Sequence, residues 1–272
     1  MGIPDSNIIL MLPDDQACDA RNIYRAQMFN SFDHKINLYD EIEVDYRGLD
    51  VSVHRFIQVL TGRHDKSTPK SKRLDTDMHS NILIYMTGHG GDEFLKFQDS
   101  TEITSQDFSD AFEEMYQKKR YKSILFIGDT CQANTLGNAI RSPNILSIGS
   151  SLLGENSYSW GSDDNVGLSL TDRFTSKYFY FKDIYIYISS NNVHILFTNI
   201  IGTVMQFFEN IAIRPDGSSD RTLHDLFSTL KRAELRSNIG IQNHRFKKDL
   251  RHVPITDFFG STIDVHVTNV GY

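Results

Sequence analysis

The sequence has few of the features that mark special classes of protein. It holds two cysteines, Cys18 and Cys131, so far apart that they form neither zinc-ligand spacing nor a disulfide framework. No apolar run approaches the roughly 20 residues that cross a bilayer. The segment 1–6 lacks the basic start and apolar core of a secretory signal. These absences predict a soluble globular protein that carries no targeting signal.

The chain also has fewer basic than acidic residues, 28 Lys and Arg against 35 Asp and Glu. The formal net charge is −7, whereas nucleic-acid binding usually requires a basic face. We therefore expect no nucleic acid among the partners.

What is present indicates a single α/β domain covering residues 1–272. A chain of 272 residues with 39 % hydrophobic content can bury one large core. Short apolar runs alternate with stretches of helical periodicity, which is typical of a parallel sheet covered by helices. The predicted strands are 7–12, 82–86, 124–127 and 145–151, and the predicted helices are 51–61 and 105–119, the second capped by Ser105. The remaining predictions are a surface excursion over 18–48, a basic loop over 66–77, an exposed segment up to Gln98 and a helix beginning at Gln132.

Two of the predicted strands end in turns that carry reactive side chains. His89 follows the strand 82–86, and Cys131 follows the strand 124–127. Ligands of open α/β sheets bind beyond the carboxyl ends of the strands. If the two strands are parallel neighbours, His89 and Cys131 lie side by side at that edge.

A thiol beside an imidazole is sufficient for nucleophilic acyl transfer. The predicted helix after Cys131 would direct backbone N–H groups at the sulfur and favour the thiolate. His89 would accept the thiol proton and return it to a leaving amine, while the backbone N–H of Gly90 would stabilise an oxyanion. The alternative for each residue taken alone is structural, because buried cysteine often acts as a small hydrophobe and a lone histidine is often structural.

The residues around both turns resemble the catalytic subunits of glycosylphosphatidylinositol (GPI) transamidases, a branch of the legumain-like cysteine peptidases of family C13. The segments that carry the resemblance are YMTGHGGD (85–92), FLKFQD (94–99), GDTCQAN (128–134) and ITDFFG (255–260). The first and third together are specific to the peptidase family. The other two favour the transamidase branch over an asparaginyl endopeptidase.

The resemblance implies a caspase-like three-layer α/β/α sandwich with a mostly parallel sheet. It also implies that His89 and Cys131 are the catalytic dyad, and that no organic cofactor takes part. The enzyme would cleave the C-terminal signal of a proprotein and transfer the new carboxyl end to the ethanolamine phosphate of a GPI lipid. Its partners would be the other transamidase subunits, in a membrane complex of the endoplasmic reticulum.

Two further sites are implied by the same resemblance. A structural Ca²⁺ would be bound by positions matching Asp5, Ile8 (through its carbonyl oxygen), Glu43 and Asp45. Glu43 and Asp45 also place two carboxylates on one face of an extended segment, and calcium prefers oxygen ligands, although a solvated acidic face is an equal alternative. Cys18 matches a cysteine that forms an intersubunit disulfide, and is otherwise a free thiol.

The chain departs from the family pattern in three regions. Relatives have a signal peptide, a strand and a helix ahead of Gly2, and a membrane-spanning tail that some lineages lack. The missing strand would lie between the strands 7–12 and 82–86, so we expect a gap in the centre of the sheet. Residues 177–203 interrupt a family-like helix. We hypothesise that this segment is translated intron and that Met1 is an internal start; the alternative is a genuine insertion that forms a hairpin.

Two rival functions remain at this stage. One is a soluble legumain-type endopeptidase that releases its products to water. The other is a non-catalytic homologue that acts as a binding subunit, which the missing strand makes plausible.

Overall fold

The fold is described from a computed structural model. The residues it describes are 3–13, 16–29, 32–35, 37–39, 42–98, 100–176, 193–198, 221–230 and 232–259. Apart from 193–198, the segment 177–203, for which a hairpin was the alternative, lies outside these residues, as does the continuation of the interrupted helix after residue 203.

A seven-stranded sheet forms the centre of the molecule. Its strands are β1 (Ile8–Leu12), β2 (Tyr46–Arg47), β3 (Asn81–Thr87), β7 (Ser123–Asp129), β8 (Ile145–Gly149), β11 (Val193–Thr198) and β12 (Gly240–Gln242). The spatial order is β12-β8-β7-β3-β11-β1-β2, and every pairing is parallel except that of β12 with β8. The predicted parallel α/β sheet is therefore confirmed.

Continuous apolar runs give buried strands because both faces of this sheet are covered. Every residue of β3 and β7 is buried, as expected for parallel strands between two helical layers. Alternate side chains of β3 enter opposite cores: Ile82 and Ile84 face one, Leu83 and Tyr85 the other. This arrangement confirms the three-layer sandwich.

Helices form the two outer layers. They are α1 (Val53–Thr61), α2 (Ser105–Gln117), α3 (Arg173–Ser176), α4 (Leu223–Ser228), α5 (Arg232–Leu235) and α6 (Thr256–Phe259). The core on the α1 and α2 side is rich in aromatic rings, among them Phe56, Phe108 and Phe126. The opposite core packs Leu223 and Phe258 against the sheet. In the described part of the chain, no helix has the length and apolarity needed to cross a membrane.

The expected gap in the sheet is filled. β11 pairs in parallel with β1 on one side, from Ile8 opposite Ile195 to Met11 opposite Thr198. On its other side it pairs with all but the last residue of β3, from Asn81 to Met86. This strand comes from inside the segment 177–203, which we hypothesised from the sequence to be translated intron and therefore no part of the fold. Backbone groups in a sheet centre need partners, and this segment supplies them.

Two local predictions were wrong. The segment expected to be exposed up to Gln98 forms a small antiparallel sheet of β4 (Gly90–Gly91), β5 (Phe94–Phe97) and β6 (Thr101–Thr104). Leu95 and Phe97 are buried in it.

A second small sheet pairs β9 (Ser159–Asp163) with β10 (Leu168–Asp172).

The cap of α2 was also misplaced by one residue. Thr104, not Ser105, is the N-cap, because Thr104 is extended and its hydroxyl accepts the N–H of Asp107 while the Asp107 side chain accepts the N–H of Thr104. The Ser105 hydroxyl instead accepts the N–H of Ala139 at 2.8 Å. The helix itself begins where the sequence predicted.

Candidate active site

His89 and Cys131 lie at the same edge of the central sheet. β3 and β7 are parallel neighbours whose register ends with Thr87 opposite Asp129. His89 and Cys131 each come two residues after that pair. The Gly88 N–H also donates to the Asp129 carbonyl at 3.4 Å, so the two segments stay in contact beyond the regular strand pairing. The strand arrangement that the dyad requires is therefore present, while the catalytic role of both side chains stays a prediction.

A tight contact between the two turns depends on glycine at position 90. A Cβ atom on Gly90 would lie 2.5 Å from the hydroxyl oxygen of Thr130 and 2.6 Å from the Phe94 carbonyl oxygen. No real side chain tolerates such distances, so the histidine turn can approach the residue before Cys131 only with glycine here. The predicted oxyanion role of the Gly90 N–H stays a prediction.

Cys131 and His89 differ in their exposure. Cys131 is partly buried, and its Sγ donates a weak hydrogen bond to the Ser157 carbonyl at 3.9 Å. His89 is exposed to solvent. Its own carbonyl accepts the N–H of Lys96 at 2.8 Å, which fixes the histidine turn on β5. The thiol is thus partly sheltered, whereas the imidazole is open to solvent.

The α-helix predicted to begin at Gln132 does not form. Gln132 has a left-handed φ of 55°, and only a short 3-10 helix, Ala133–Gly137, follows. The first N–H groups are used elsewhere: Gln132 donates to the Glu155 carbonyl at 2.9 Å, and Ala133 and Asn134 donate to Ser151. The expectation that an α-helix N-terminus favours the thiolate of Cys131 was therefore wrong.

A carboxyl pair beneath the two turns was missed by the sequence analysis. Asp129 is buried at the end of β7, where its carboxylate accepts the Tyr85 hydroxyl at 3.2 Å and the Ser157 hydroxyl at 2.8 Å. Asp172 ends β10 and accepts the Thr87 hydroxyl at 2.8 Å. Ser157 therefore links Asp129 to Cys131, since its carbonyl is the acceptor for the thiol.

The electrostatics of the Asp129–Asp172 pair favour a state in which the two carboxyl groups together hold one proton. Burial raises the pKa of Asp172 well above its usual range, and the nearby Asp129 raises it further, while the Thr87 hydrogen bond lowers it. Two carboxyl groups so close in a dry site cannot both be ionised cheaply. The position of Asp129 two residues before Cys131, within GDTC, is a signal that could have identified it; Asp172, 43 residues further along the chain, carries no local signal.

The four predicted calcium ligands lie around the start of β1. The Ile8 N–H donates to the Asp5 carbonyl, and Asp45 is buried with its carboxylate accepting the Leu10 N–H at 2.9 Å. Burial, together with the charges of Glu43 and Asp5, raises the pKa of Asp45 to about 6, although the Leu10 N–H and the charge of Lys72 act in the opposite direction.

The donor chemistry suits calcium, because carboxylate and carbonyl oxygens are the ligands that calcium prefers. Among the described residues, however, no three acidic, histidine or cysteine side chains come close enough together to hold a metal ion. The side chains as they stand are neighbours rather than a closed coordination shell.

Cys18 is exposed and remote from Cys131 in the chain, and neither forms a disulfide within the described residues. It ends a short 3-10 helix, Gln16–Cys18, at the start of the excursion predicted over 18–48. That excursion is anchored rather than loose. His34 bonds Asp163 at 2.7 Å, and Phe29 is buried.

Comparison with known proteins identifies the family to which the chain belongs. The model of the peptidase C13 family matches residues 1–207. The chain belongs to that family of cysteine-type peptidases.

Among curated proteins it is similar to the GPI-anchor transamidase of Saccharomyces cerevisiae, with 47 % identity over 266 residues, which are 97 % of this chain and 57 % of the relative. The Schizosaccharomyces pombe protein of the same name is 44 % identical over 98 % of this chain and 63 % of the relative. The human one is 44 % identical over 98 % of this chain and 60 % of the relative. The chain thus spans about three fifths of the length of these relatives.

Proposed function

We propose that this protein is the catalytic subunit of a GPI transamidase. It would cleave the C-terminal signal of a proprotein through Cys131 and pass the acyl group to the terminal amine of a GPI lipid. The observation that carries the proposal is the contact of the histidine turn with the cysteine turn at the carboxyl edge of β3 and β7. The similarity to proteins named GPI-anchor transamidase supports the choice of acceptor.

The first half of the reaction forms a thioester. The Cys131 sulfur attacks the carbonyl carbon of the scissile peptide bond, and its proton passes to His89. The resulting oxyanion is stabilised by the Gly90 N–H. When the C–N bond breaks, His89 returns the proton to the leaving amine, and the signal peptide departs.

The second half repeats these steps in reverse with a different amine. The ethanolamine nitrogen of the GPI lipid attacks the thioester carbon, His89 accepts a proton from it, and the C–S bond breaks. Cys131 leaves as thiolate and recovers its proton. Ser157 positions the thiol before each cycle, because its carbonyl accepts from the sulfur and its hydroxyl is held by Asp129.

Hydrazine serves as a simple acceptor to test this proposal. The full chain, incubated with a peptide ending in a GPI-attachment signal and with hydrazine, should form the peptide hydrazide in excess over the free acid. Mass spectrometry distinguishes the two products. Free acid without hydrazide would favour the endopeptidase that the family name also allows, and no cleavage at all would favour the non-catalytic binding subunit.

We propose in addition that the protein works in a membrane complex of the endoplasmic reticulum, with Cys18 joined by a disulfide to another subunit. The exposure of Cys18 supports this role, since an intersubunit bond needs an accessible thiol. The names of the relatives support the assignment to a transamidase.

A structural calcium ion completes the proposal. The residues that would hold it are Asp5, Glu43 and Asp45, with the Ile8 carbonyl. When bound, the ion would supply positive charge that offsets the repulsion raising the pKa of Asp45. No catalytic step involves it.

Calcium should raise the melting temperature in a pH-dependent manner. Because the pKa of Asp45 is about 6 when folded and 3.8 in the unfolded reference, the metal-free fold loses stability as the pH rises from about 4 to about 6. Calcium requires the ionised carboxylate, so its effect should be full above pH 6 and fade below it. At calcium about 100-fold above its dissociation constant, we expect an increase of about 5 °C or more.

Thermal melts with calcium, with magnesium and with chelator provide the measurement. Asp45→Asn should abolish the calcium response. An equal calcium response in that variant, or none in the unaltered protein at pH 7.5, would contradict the calcium site.

A further inference from the structure

Basic residues concentrate at the edge of the sheet opposite the dyad. Nine of the 28 Lys and Arg residues fall within 63–73 and 118–122, which contain one acidic residue, Asp65. The first stretch lies between α1 and β3, and the second lies between α2 and β7. Since His89 and Cys131 follow the carboxyl ends of β3 and β7, these stretches approach the amino ends, across the sheet from the catalytic turns.

Most of these cations are solvated or already paired. Arg63 and Lys118, for example, both bond Glu114. Three side chains in this region are less exposed than these cations. We call them the His64 cluster: His64, Arg73 and Arg120. All three are half-buried.

The His64 cluster holds nitrogen atoms that are buried without a partner. Within the described part of the chain, neither His64 Nε2 nor Arg73 Nε has a hydrogen-bond partner, although both are shielded from solvent. The guanidinium of Arg73 is held through Nη2, which donates to the Lys66 carbonyl at 2.8 Å. Such unsatisfied groups typically cost about 1–3 kcal/mol each and call for a ligand or water.

Arg120 is locked beside them. Its guanidinium donates to the carbonyls of Leu60, at 3.0 Å, and Leu74, and it lies so close to Gly62 that a Cβ there would clash with it. Burial lowers the pKa of His64, and the positive charges of Arg120 and Arg73 lower it further. The negative charge of Asp75, which is exposed, acts in the opposite direction and raises the pKa of His64. Positive charge in the cluster is thus poorly balanced.

We propose that the His64 cluster binds a phosphate group. A tetrahedral dianion offers acceptors to Arg73 Nε and to the imidazole, and it places negative charge against Arg73 and Arg120, for which guanidinium groups are well suited. The phosphate belongs either to a lipid headgroup or to a small soluble phosphoester. The site is separate from the dyad and does not depend on the proposed transamidase activity.

Isothermal titration of the full chain with inorganic phosphate and with glycerol 3-phosphate tests the site. Arg73→Gln should weaken binding about tenfold or more, as expected for loss of a charge-assisted hydrogen bond. Lys70→Gln is the matched control, because it removes the same charge from an exposed side chain of the same stretch; it should weaken binding less than about twofold. Arg73→Lys separates charge from geometry, since it keeps the charge and loses the Nε donor. It should weaken binding nearly as much as Arg73→Gln.

Vesicle sedimentation distinguishes the two sources of phosphate. Retention on vesicles with phosphatidic acid but not on phosphatidylcholine alone, lost in Arg73→Gln, identifies a lipid headgroup. Binding of glycerol 3-phosphate without vesicle retention identifies a soluble phosphoester. No binding to any probe overturns the proposal. Equal weakening of binding by Arg73→Gln and Lys70→Gln would also overturn the proposal, and so would undiminished binding in Arg73→Lys. Either result would indicate attraction by diffuse positive charge and not a specific site.

Discussion

Replacing Cys131 with alanine is expected to reduce hydrazide formation to background, a loss of about 10⁴-fold or more. In the proposed mechanism the sulfur forms the covalent intermediate, and the group it bonds to, the Ser157 carbonyl, is no nucleophile that could replace it. Removing a small, partly buried thiol leaves the turns and the Gly90 contact intact. Product formation should therefore disappear while the fold persists, which mass spectrometry and circular dichroism measure separately.

Cys18 provides the matched control. Cys18→Ala removes the other thiol of the chain, which is exposed and lies outside the dyad, so hydrazide formation by the isolated chain should be unchanged. If Cys131→Ala retained activity, or if Cys18→Ala lost it equally, the assignment of the nucleophile would be wrong.

Proline at position 196 should destabilise the whole domain. Leu196 lies in the middle of β11, opposite Ile9 on one side and Ile84 on the other. Proline removes a backbone N–H from a central strand and clashes with the neighbouring chain. We expect a loss of about 3 kcal/mol or more in the free energy of unfolding, a large share of a typical total of about 5–15 kcal/mol. Urea denaturation followed by circular dichroism gives the value.

Leu196→Val is the control for this experiment, because it keeps the backbone N–H and a strand-forming side chain. Its stability should stay within about 1.5 kcal/mol of the unaltered protein. Equal stability of the proline and valine variants would mean that residues 193–198 do not occupy the slot between β1 and β3. The hypothesis of a gap in the sheet would then stand.

β11 also bears on catalysis. It pairs with β3 up to Met86, three residues before His89. A sheet split between β1 and β3 would leave the strand that carries the histidine turn supported on one side only. We therefore expect Leu196→Pro to lose hydrazide formation together with stability, and Leu196→Val to keep both.

The parts of the fold that were predictable are those with a dense local signal. β3 and β7 are continuous apolar runs ending in small and polar residues, so both strands and the position of the two turns follow from the sequence alone. The helix α1 was predictable for a similar reason. Its apolar spacing coincides with a serine N-cap, Ser52, and a left-handed glycine, Gly62, at its end.

The errors arose where distant residues decide the local structure. Gln132 begins no α-helix, because Ser151 and Glu155 capture the N–H groups that a helix start would leave free. Asp172 was invisible as a site residue because only the fold brings it to Asp129. The slot between β1 and β3 was expected to be empty because the family resemblance assigns it to a different strand. β11 fills the slot from a part of the chain that is distant from both neighbours, so no local signal placed it there.

Capture of the acyl-enzyme tests the central claim most directly. The protein is mixed with a signal-bearing peptide in the absence of hydrazine, quenched rapidly in acid, digested and mapped by mass spectrometry. We predict that the mass of the peptide's acyl portion is added to the fragment containing Cys131, and that hydrazine removes it. An adduct on Cys18, or cleavage of the peptide with no adduct on Cys131 at any quench time, would contradict the mechanism.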